Sequence, residues 1–335
     1  MNLLPTDRDP TTDDLVTTDL ILSATARLEG RVVRTPLHQS APLSERLGQE
    51  IVLKLENLQH TGSFKARGAC NRMLSLDTRS REAGIMAASS GNHGAAVAWC
   101  ASEAGMSSTI FVPEGASQAK VEKIRGFGAQ VVFQGTDGLD TEIFARREAE
   151  KRGATYISPY NDEAVVAGQA TVGVELLEQD PQVDAVFIAV GGGGLIGGVG
   201  AWLKARAPHV RVIGAVPANS PVMAESIRAG RILELESRPT LSDGTAGGIE
   251  EESVTFDLCR SVVDYWAIIP EDEIAAVLRE FVGAHDMVIE GAAAVAVAAA
   301  LRLAPSLGSR RAAVVICGGN IAPQVLTDAL KSPHG

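Results

Sequence analysis

The sequence predicts an α/β protein made of two open, twisted, mainly parallel sheets flanked by helices, and three observations predict it. Short β-rich runs alternate with segments of helical period almost from end to end. The chain of 335 residues is 45% hydrophobic, enough for one large or two moderate domains with their own cores. Its most unusual loops follow strands directly, where open α/β sheets bind their ligands.

In chain order the strands are expected at Ile51–Leu55, Gly84–Ala88, Ser108–Val112, Gln130–Phe133, Thr155–Ile157, Ala185–Val190, Val210–Ala215, Asp264–Ile269 and Ala312–Ile316. Helical periodicity falls between them at His93–Ala104, Gln118–Phe127, Leu139–Lys151, Ala164–Glu178, Leu195–Arg206, Glu273–His285 and Ala292–Leu303. The four strands between Gly84 and Ile157 could close as a compact sub-domain.

A net charge of -11, from 30 Lys+Arg against 41 Asp+Glu, argues against nucleic acid or an anionic membrane surface as the main partner. Cys70, Cys100, Cys259 and Cys317 show neither CxxC nor Cys/His ligand spacing, so no zinc site and no disulfide framework is expected. A reducing cytoplasm is the simplest home. Met1 to Asp14 carries acids and prolines and reads as a loose leader, not a signal peptide. The apolar run Gly291–Leu301 is far short of the roughly 20 residues that span a bilayer, and reads as a core helix.

Four loops carry candidate chemistry. From Asp184, the run DAVFIAVGGGGLIGG takes a buried strand into Gly191, Gly192, Gly193, Gly194 and Leu195 at a helix start. Converging backbone N–H groups there suit a phosphate; the alternative is a flexible turn with glycines for close packing. Gly192, Gly194 and Gly197 also spell GxGxxG, but the next strand ends in Val216 and Pro217, without the acid that holds a dinucleotide ribose.

In TGSFKARGA, Lys65 opens a helix, where the dipole disfavours its charge. It could form a Schiff base with a phosphate-bearing aldehyde, or be an ordinary surface lysine. Ser89-Ser90-Gly91-Asn92-His93-Gly94 joins hydroxyls, an amide and free N–H groups at a helix start, suited to a carboxylate and a polar ring substituent or to mere capping. Cys317-Gly318-Gly319-Asn320 places a small polarisable side chain at a strand end, where a lone cysteine is usually just a small hydrophobe.

Taken together and in this order, TGSFKARGA, SSGNHG, GGGGLIGG, SDGTAGG (Ser242–Gly248), IEGAAAVA (Ile289–Ala296) and CGGN resemble the fold type II pyridoxal-phosphate enzymes. The specific likeness is to the serine/threonine dehydratase and serine racemase group, from about Arg31 to the end, with the tryptophan synthase β-like fold. The resemblance implies that Lys65 holds the cofactor as a Schiff base and Phe64 lies against the ring. Asn92 would bond the ring hydroxyl, Gly191 to Leu195 cradle the phosphate, and Cys317 contact the pyridine nitrogen. Ser89, Ser90, Gly91, His93, Tyr160 and Gly244 would line the substrate pocket, with Lys65 and Ser90 catalytic. Residues 84–159 would form a small mobile domain over a large cofactor-binding domain of residues 1–83 and 160–335.

The implied activity is β-elimination of water from a β-hydroxy amino acid, giving a 2-oxo acid and ammonia, in a homodimer or homotetramer. Lys65 would take the Cα proton, and an acid, the cofactor phosphate being a candidate, would assist loss of the hydroxyl. A thiol at the ring nitrogen makes a weaker electron sink than an Asp, which suits elimination.

Departures from the group's pattern sharpen this. Racemases place carboxylates for a divalent cation where this chain has Val216, Ser220 and Val222, so no metal is expected. Ser90 matches the racemases' acid, yet dehydratases carry a similar serine. Tyr160 replaces a small amide residue and is expected to make the pocket more apolar, fitting a dehydratase. Ala170 replaces a common glycine. The chain ends soon after CGGN, so isoleucine feedback is not expected and a catabolic role is. L-Threonine or L-serine is the default substrate, with hydroxyaspartate, phenylserine or a hydroxyectoine-derived compound as alternatives beside racemisation. Outside the group, the rivals are a dinucleotide-dependent oxidoreductase and a non-catalytic vitamin-binding protein.

Overall fold

The computed structural model describes residues 4–6, 16–136 and 138–331. In chain order the strands are β1 (Leu4–Pro5), β2 (Leu37–Gln39), β3 (Glu50–Lys54), β4 (Ile85–Ala88), β5 (Ser108–Val112), β6 (Gln130–Phe133), β7 (Thr155–Tyr156), β8 (Ala185–Ala189), β9 (Arg211–Pro217), β10 (Tyr265–Ile269) and β11 (Arg311–Val315). The helices are α1 (Thr18–Leu28), α2 (Ala41–Leu47), α3 (Lys65–Leu74), α4 (Thr78–Glu82), α5 (Asn92–Glu103), α6 (Gln118–Gly126), α7 (Gly138–Arg152), α8 (Glu163–Gln179), α9 (Gly194–Arg206), α10 (Val222–Ala229), α11 (Val254–Val262), α12 (Glu271–His285), α13 (Gly291–Leu307) and α14 (Pro323–Lys331).

Two sheets result. The larger runs β1-β10-β9-β8-β11-β3-β2, parallel from β10 to β3 and antiparallel at both edges. The smaller, β6-β5-β4-β7, is parallel throughout. Every residue of β8 is buried, as expected of a strand covered by helices on both faces. All nine anticipated strands form; β1 and β2 were not anticipated, because two or three edge residues carry no readable period. β1 also corrects part of the loose-leader expectation: Leu4 and Pro5 pair with Trp266 and Tyr265. Residues 1–3 and 7–15 of that stretch lie outside the described residues.

One core fills the large sheet and its helices, with α13 contributing an unbroken buried run from Gly291 to Ala300. Another lies over the small sheet and contains α5 together with Ala66, Ala69 and Met73 of α3. The first residue of α3 therefore stands where the two cores meet. Among the described residues no helix is long and apolar enough to cross a membrane.

The cysteine expectation needs correction. Cys70 of α3 and Cys100 of α5 form a disulfide, their Cα atoms 5.3 Å apart. A separation of 30 residues leaves no local spacing to read; only the packing of α3 on α5 brings the sulfurs together. Cys259 and Cys317 are free and buried.

Candidate active site

β8, β11 and β3 are neighbours, so their carboxyl ends deliver three loops side by side. After β3 the chain makes one 3-10 turn, Glu56–Leu58, and reaches Lys65 at the head of α3. The loop after β11 locks to it: Phe64 N–H donates to the Cys317 carbonyl at 3.0 Å and Gly319 N–H to that of Gly62 at 3.0 Å. Lys65 Nζ lies 5.1 Å from the Phe64 ring centroid and donates to the Pro159 carbonyl at 2.8 Å. Burial pulls its ammonium down to about 8, so about a tenth of it is uncharged and nucleophilic at pH 7 and most of it above pH 8.

Two residues beyond Lys65, Arg67 is wholly buried and holds Glu56 through Nε (2.8 Å) and Glu175 through Nη1 (2.6 Å). Lys54, also buried, donates to Glu175 at 2.6 Å. Two cations and two carboxylates thus balance beneath α3 and fix its first turn. Sequence reasoning gave Arg67 no role, although an arginine inside an otherwise small-residue segment was the available signal.

After β8, the glycines open α9 with no side-chain cap, whereas Asp162 caps α8 by accepting from Ala164 and Val165 N–H. Gly193 sits at φ +85°, a conformation that favours glycine. A Cβ on Gly191 would come within 2.9 Å of Thr245 Cα, and one on Gly192 within 2.3 Å of the Tyr160 ring. Gly194 would press Tyr160 Cα at 3.1 Å, and Leu195 follows, buried. This is a cradle that side chains would fill, with helix N–H groups at its floor, and it fits a phosphate. β9 beside it ends in buried Val216 and Pro217, which leaves a dinucleotide ribose without an acid.

A fourth loop lies at the end of β4, in the smaller sheet. Gly91 begins α5 without a side-chain cap, and a Cβ on Gly94 would fall 2.0 Å from the Ser89 carbonyl oxygen, so only glycine permits this turn. Ser89 Oγ accepts from Gly91 N–H at 3.1 Å, while Ser90 stays half-buried. His93 differs from a pocket-lining side chain: its Nε2 meets the Ile157 carbonyl at 2.9 Å, deep in the fold. Burial, then Lys65, lowers its pKa to about 3, so the imidazole is neutral and what it offers a ligand is its backbone N–H.

The residue that sequence reasoning missed is Glu290. Its buried carboxyl accepts from Asn92 Nδ2 at 2.9 Å and from Asn320 N–H at 3.2 Å, and Cys317 Sγ lies 3.8 Å away. Asn320 Nδ2 in turn donates to Asn92 Oδ1 at 2.7 Å. Burial raises the pKa of Glu290, and burial beside Glu290 pushes the Cys317 thiol well up, so Cys317 stays protonated. A charge between Ile289 and an alanine-rich buried helix was the signal. Gly244, exposed in the turn Asp243–Thr245, has Glu290 Oε1 as its nearest neighbour, 3.7 Å from where a Cβ would be.

Tyr160 corrects the expectation of a more apolar pocket. Its ring packs under Gly192, but its hydroxyl accepts from Glu250 N–H at 3.1 Å and borders a charged cluster. Ala170 is fully buried in α8 against Gly198, where a Cβ on the glycine would lie 2.9 Å from Ala170 N.

A lysine amine, a phosphate cradle and a buried thiol from the neighbouring ends of β3, β8 and β11, with a second helix start after β4 of the smaller sheet, fit pyridoxal phosphate. Comparison with known proteins agrees. The family model described as "Pyridoxal-phosphate dependent enzyme" matches residues 28–318. L-threonine ammonia-lyase of Thermotoga maritima is 43% identical over 307 residues, 92% of this chain and 76% of that protein. The catabolic L-threonine dehydratase TdcB of Escherichia coli K12 is 37% identical over 308 residues, covering 91% and 93%. Among solved structures, the processed threonine deaminase isoform 2 of Solanum lycopersicum superposes with a TM-score of 0.92 at 29% identity, covering 99% and 98%. Maize serine racemase follows with a TM-score of 0.89 at 31% identity, covering 94% and 97%. The chain thus belongs to the pyridoxal-phosphate-dependent enzymes of fold type II, in the branch that holds threonine dehydratases and serine racemases.

Proposed function

We propose that the protein is an ammonia-lyase that removes water from L-threonine or L-serine and releases a 2-oxo acid and ammonia, in amino-acid catabolism. The observation that carries this is the Lys65 amine at the head of α3, bonded to the Pro159 carbonyl at 2.8 Å beside Tyr160, whose ring packs against Gly192 of the glycine cradle. Bound there, pyridoxal phosphate supplies an electron-withdrawing ring that acidifies the Cα–H of the amino acid joined to it. Gly191, Gly192, Gly193, Gly194 and Leu195 would hold its phosphate by backbone N–H groups, Phe64 would cover the ring and Asn92 would hold the ring hydroxyl. Cys317 faces the ring nitrogen as a neutral thiol.

Lys65 is the covalent anchor and the base that takes the Cα proton as hydroxide departs from Cβ. Ser89, Ser90, Gly91 and the N–H of His93 would receive the substrate carboxylate at the helix start, with Ser90 as a catalytic residue beside Lys65. Tyr160 and Gly244 wall the pocket. Residues 84–159 close over it as a small domain, excluding water while the proton moves. A homodimer or homotetramer completes the reading, and light scattering checks the stoichiometry; the Cys70–Cys100 disulfide removes the ground on which a reducing cytoplasm was expected.

The test is an absorbance spectrum of purified protein before and after borohydride, with a 2-oxo-acid assay. A band near about 410 nm that borohydride removes, with product from L-threonine or L-serine, supports the proposal. Lys65→Ala should lose both band and turnover; an active Lys65→Ala protein would sink it.

A further inference from the structure

Beside the lysine lies a charged cluster that the proposed mechanism does not use. Arg146 of α7 donates to Glu142 at 3.0 Å, one turn away, and to Glu250, in the loop before α11, at 2.6 Å. Tyr156 donates its hydroxyl to the same Glu142 oxygen at 3.2 Å, and Arg146 stacks over that ring at 4.4 Å. Asn161 Nδ2 satisfies the other Glu250 oxygen at 2.9 Å.

The cluster is joined to the reacting centre. Lys65 Nζ donates to the Pro159 carbonyl, the next residue, Tyr160, rests under the phosphate cradle, and its hydroxyl accepts from Glu250 N–H. Glu142 is close enough for its charge to favour the protonated Lys65. All three charged side chains keep some exposure, 18% for Glu142, 34% for Arg146 and 25% for Glu250, so the cluster is reached by solvent and is not a sealed core.

We propose that Glu142 and Glu250, bridged by Arg146, form the far wall of the substrate pocket and select β-hydroxy amino acids whose side chain ends in a hydrogen-bond donor, above all an ammonium. This rests on the lyase reading above. A substrate held by its carboxylate at α5 and by its amine at Lys65 has only its β-substituent left to project, and the wall beside Lys65 and Tyr160 is the one it meets. Two carboxylates against one guanidinium leave that wall net negative. Arg146 is already engaged by both acids, so it offers little to a substrate carboxylate. Glu142 still has an oxygen, Oε2, that accepts nothing among the described residues. Burial and the neighbouring Glu250 raise the pKa of Glu142, strain that an incoming cation relieves and an incoming anion worsens.

The experiment compares kcat/KM for L-threonine, 2,4-diamino-3-hydroxybutyrate and β-hydroxyaspartate with the cofactor-loaded enzyme. The diamino compound should exceed threonine by at least about tenfold and hydroxyaspartate should fall below it by a similar factor, the scale of one charge-assisted hydrogen bond. In Glu142→Gln the diamino-to-threonine ratio should drop about tenfold; Glu250→Gln serves as a second variant should the first not fold. A wild-type ratio near one, or a ratio unmoved in the soluble variants, overturns the proposal. Product from threonine with no preference defeats the specificity claim alone, whereas a cofactor band with no product from any of the three defeats the lyase reading and this claim with it.

Discussion

Lys65 concentrates the argument at the residue scale, because burial both identifies it and sets its pH behaviour. With its pKa lowered to about 8, the amine is charged and unreactive below that value and nucleophilic above it. The rate at which apo-protein takes up pyridoxal phosphate should rise from about pH 7 to about pH 9 and then level. Stopped-flow absorbance measures it, and a flat profile would contradict the assigned environment. Gly318 makes a second residue-scale prediction. A Cβ there would stand 2.6 Å from the Glu290 carboxyl, which Asn92 and Asn320 hold in place, so Gly318→Ala should cost about 1–3 kcal/mol and weaken cofactor retention. Lys65 could be singled out in the sequence because a charge at a helix start breaks a local rule; Gly318 and Glu290 could not be given roles, since the partners of Glu290 come from α5 and from beyond β11 and meet only in the fold.

Among the elements, α3 shows what holds a reactive lysine still. Burial would raise the pKa of Glu175, but Arg67 and Lys54 outweigh it and keep the carboxylate below its ordinary range. Its stabilising contribution is therefore complete above the unfolded carboxylate value, about 4, and is lost as pH falls through the lower folded value. Removing Arg67 would strand two carboxylates with Lys54 alone, so Arg67→Ala should destabilise by about 3–5 kcal/mol in denaturant titration, and Arg67→Lys should rescue little because it cannot grip both acids. At β9 the same reasoning about ligands gives an opposite kind of result. Val216 is buried in the large-sheet core, Val222 is buried and apolar, and Ser220 bonds Ser237, so a chelator should leave turnover unchanged. The long buried strands were legible because apolar runs between glycine-rich loops have few alternatives. Helices such as α10 and α11, short and set in loop-like composition, take their form from the face they bury against the large-sheet core.

For the whole molecule, the question is how two cores share one site. α3 starts with Lys65 and packs in the core of the small sheet, while α5 starts at Asn92, whose amide is bonded to Glu290 at the head of α13. The Cys70–Cys100 disulfide ties α3 to α5 and closes a loop that contains β4 and the Ser89–Gly94 turn. Cross-linking a loop of that length restricts the unfolded chain by about 3–4 kcal/mol. Under denaturing conditions, two thiols should react before reduction, Cys259 and Cys317, and all four cysteines after it. Oxidised protein should unfold at higher denaturant than reduced protein, whereas four reactive thiols at the outset, or coincident unfolding curves, would show that helix packing alone holds α3 against α5. The bond joins α3 five residues after Lys65 to α5 eight residues after Asn92. Reduction should therefore shift the unfolding midpoint more than it shifts KM for the amino acid.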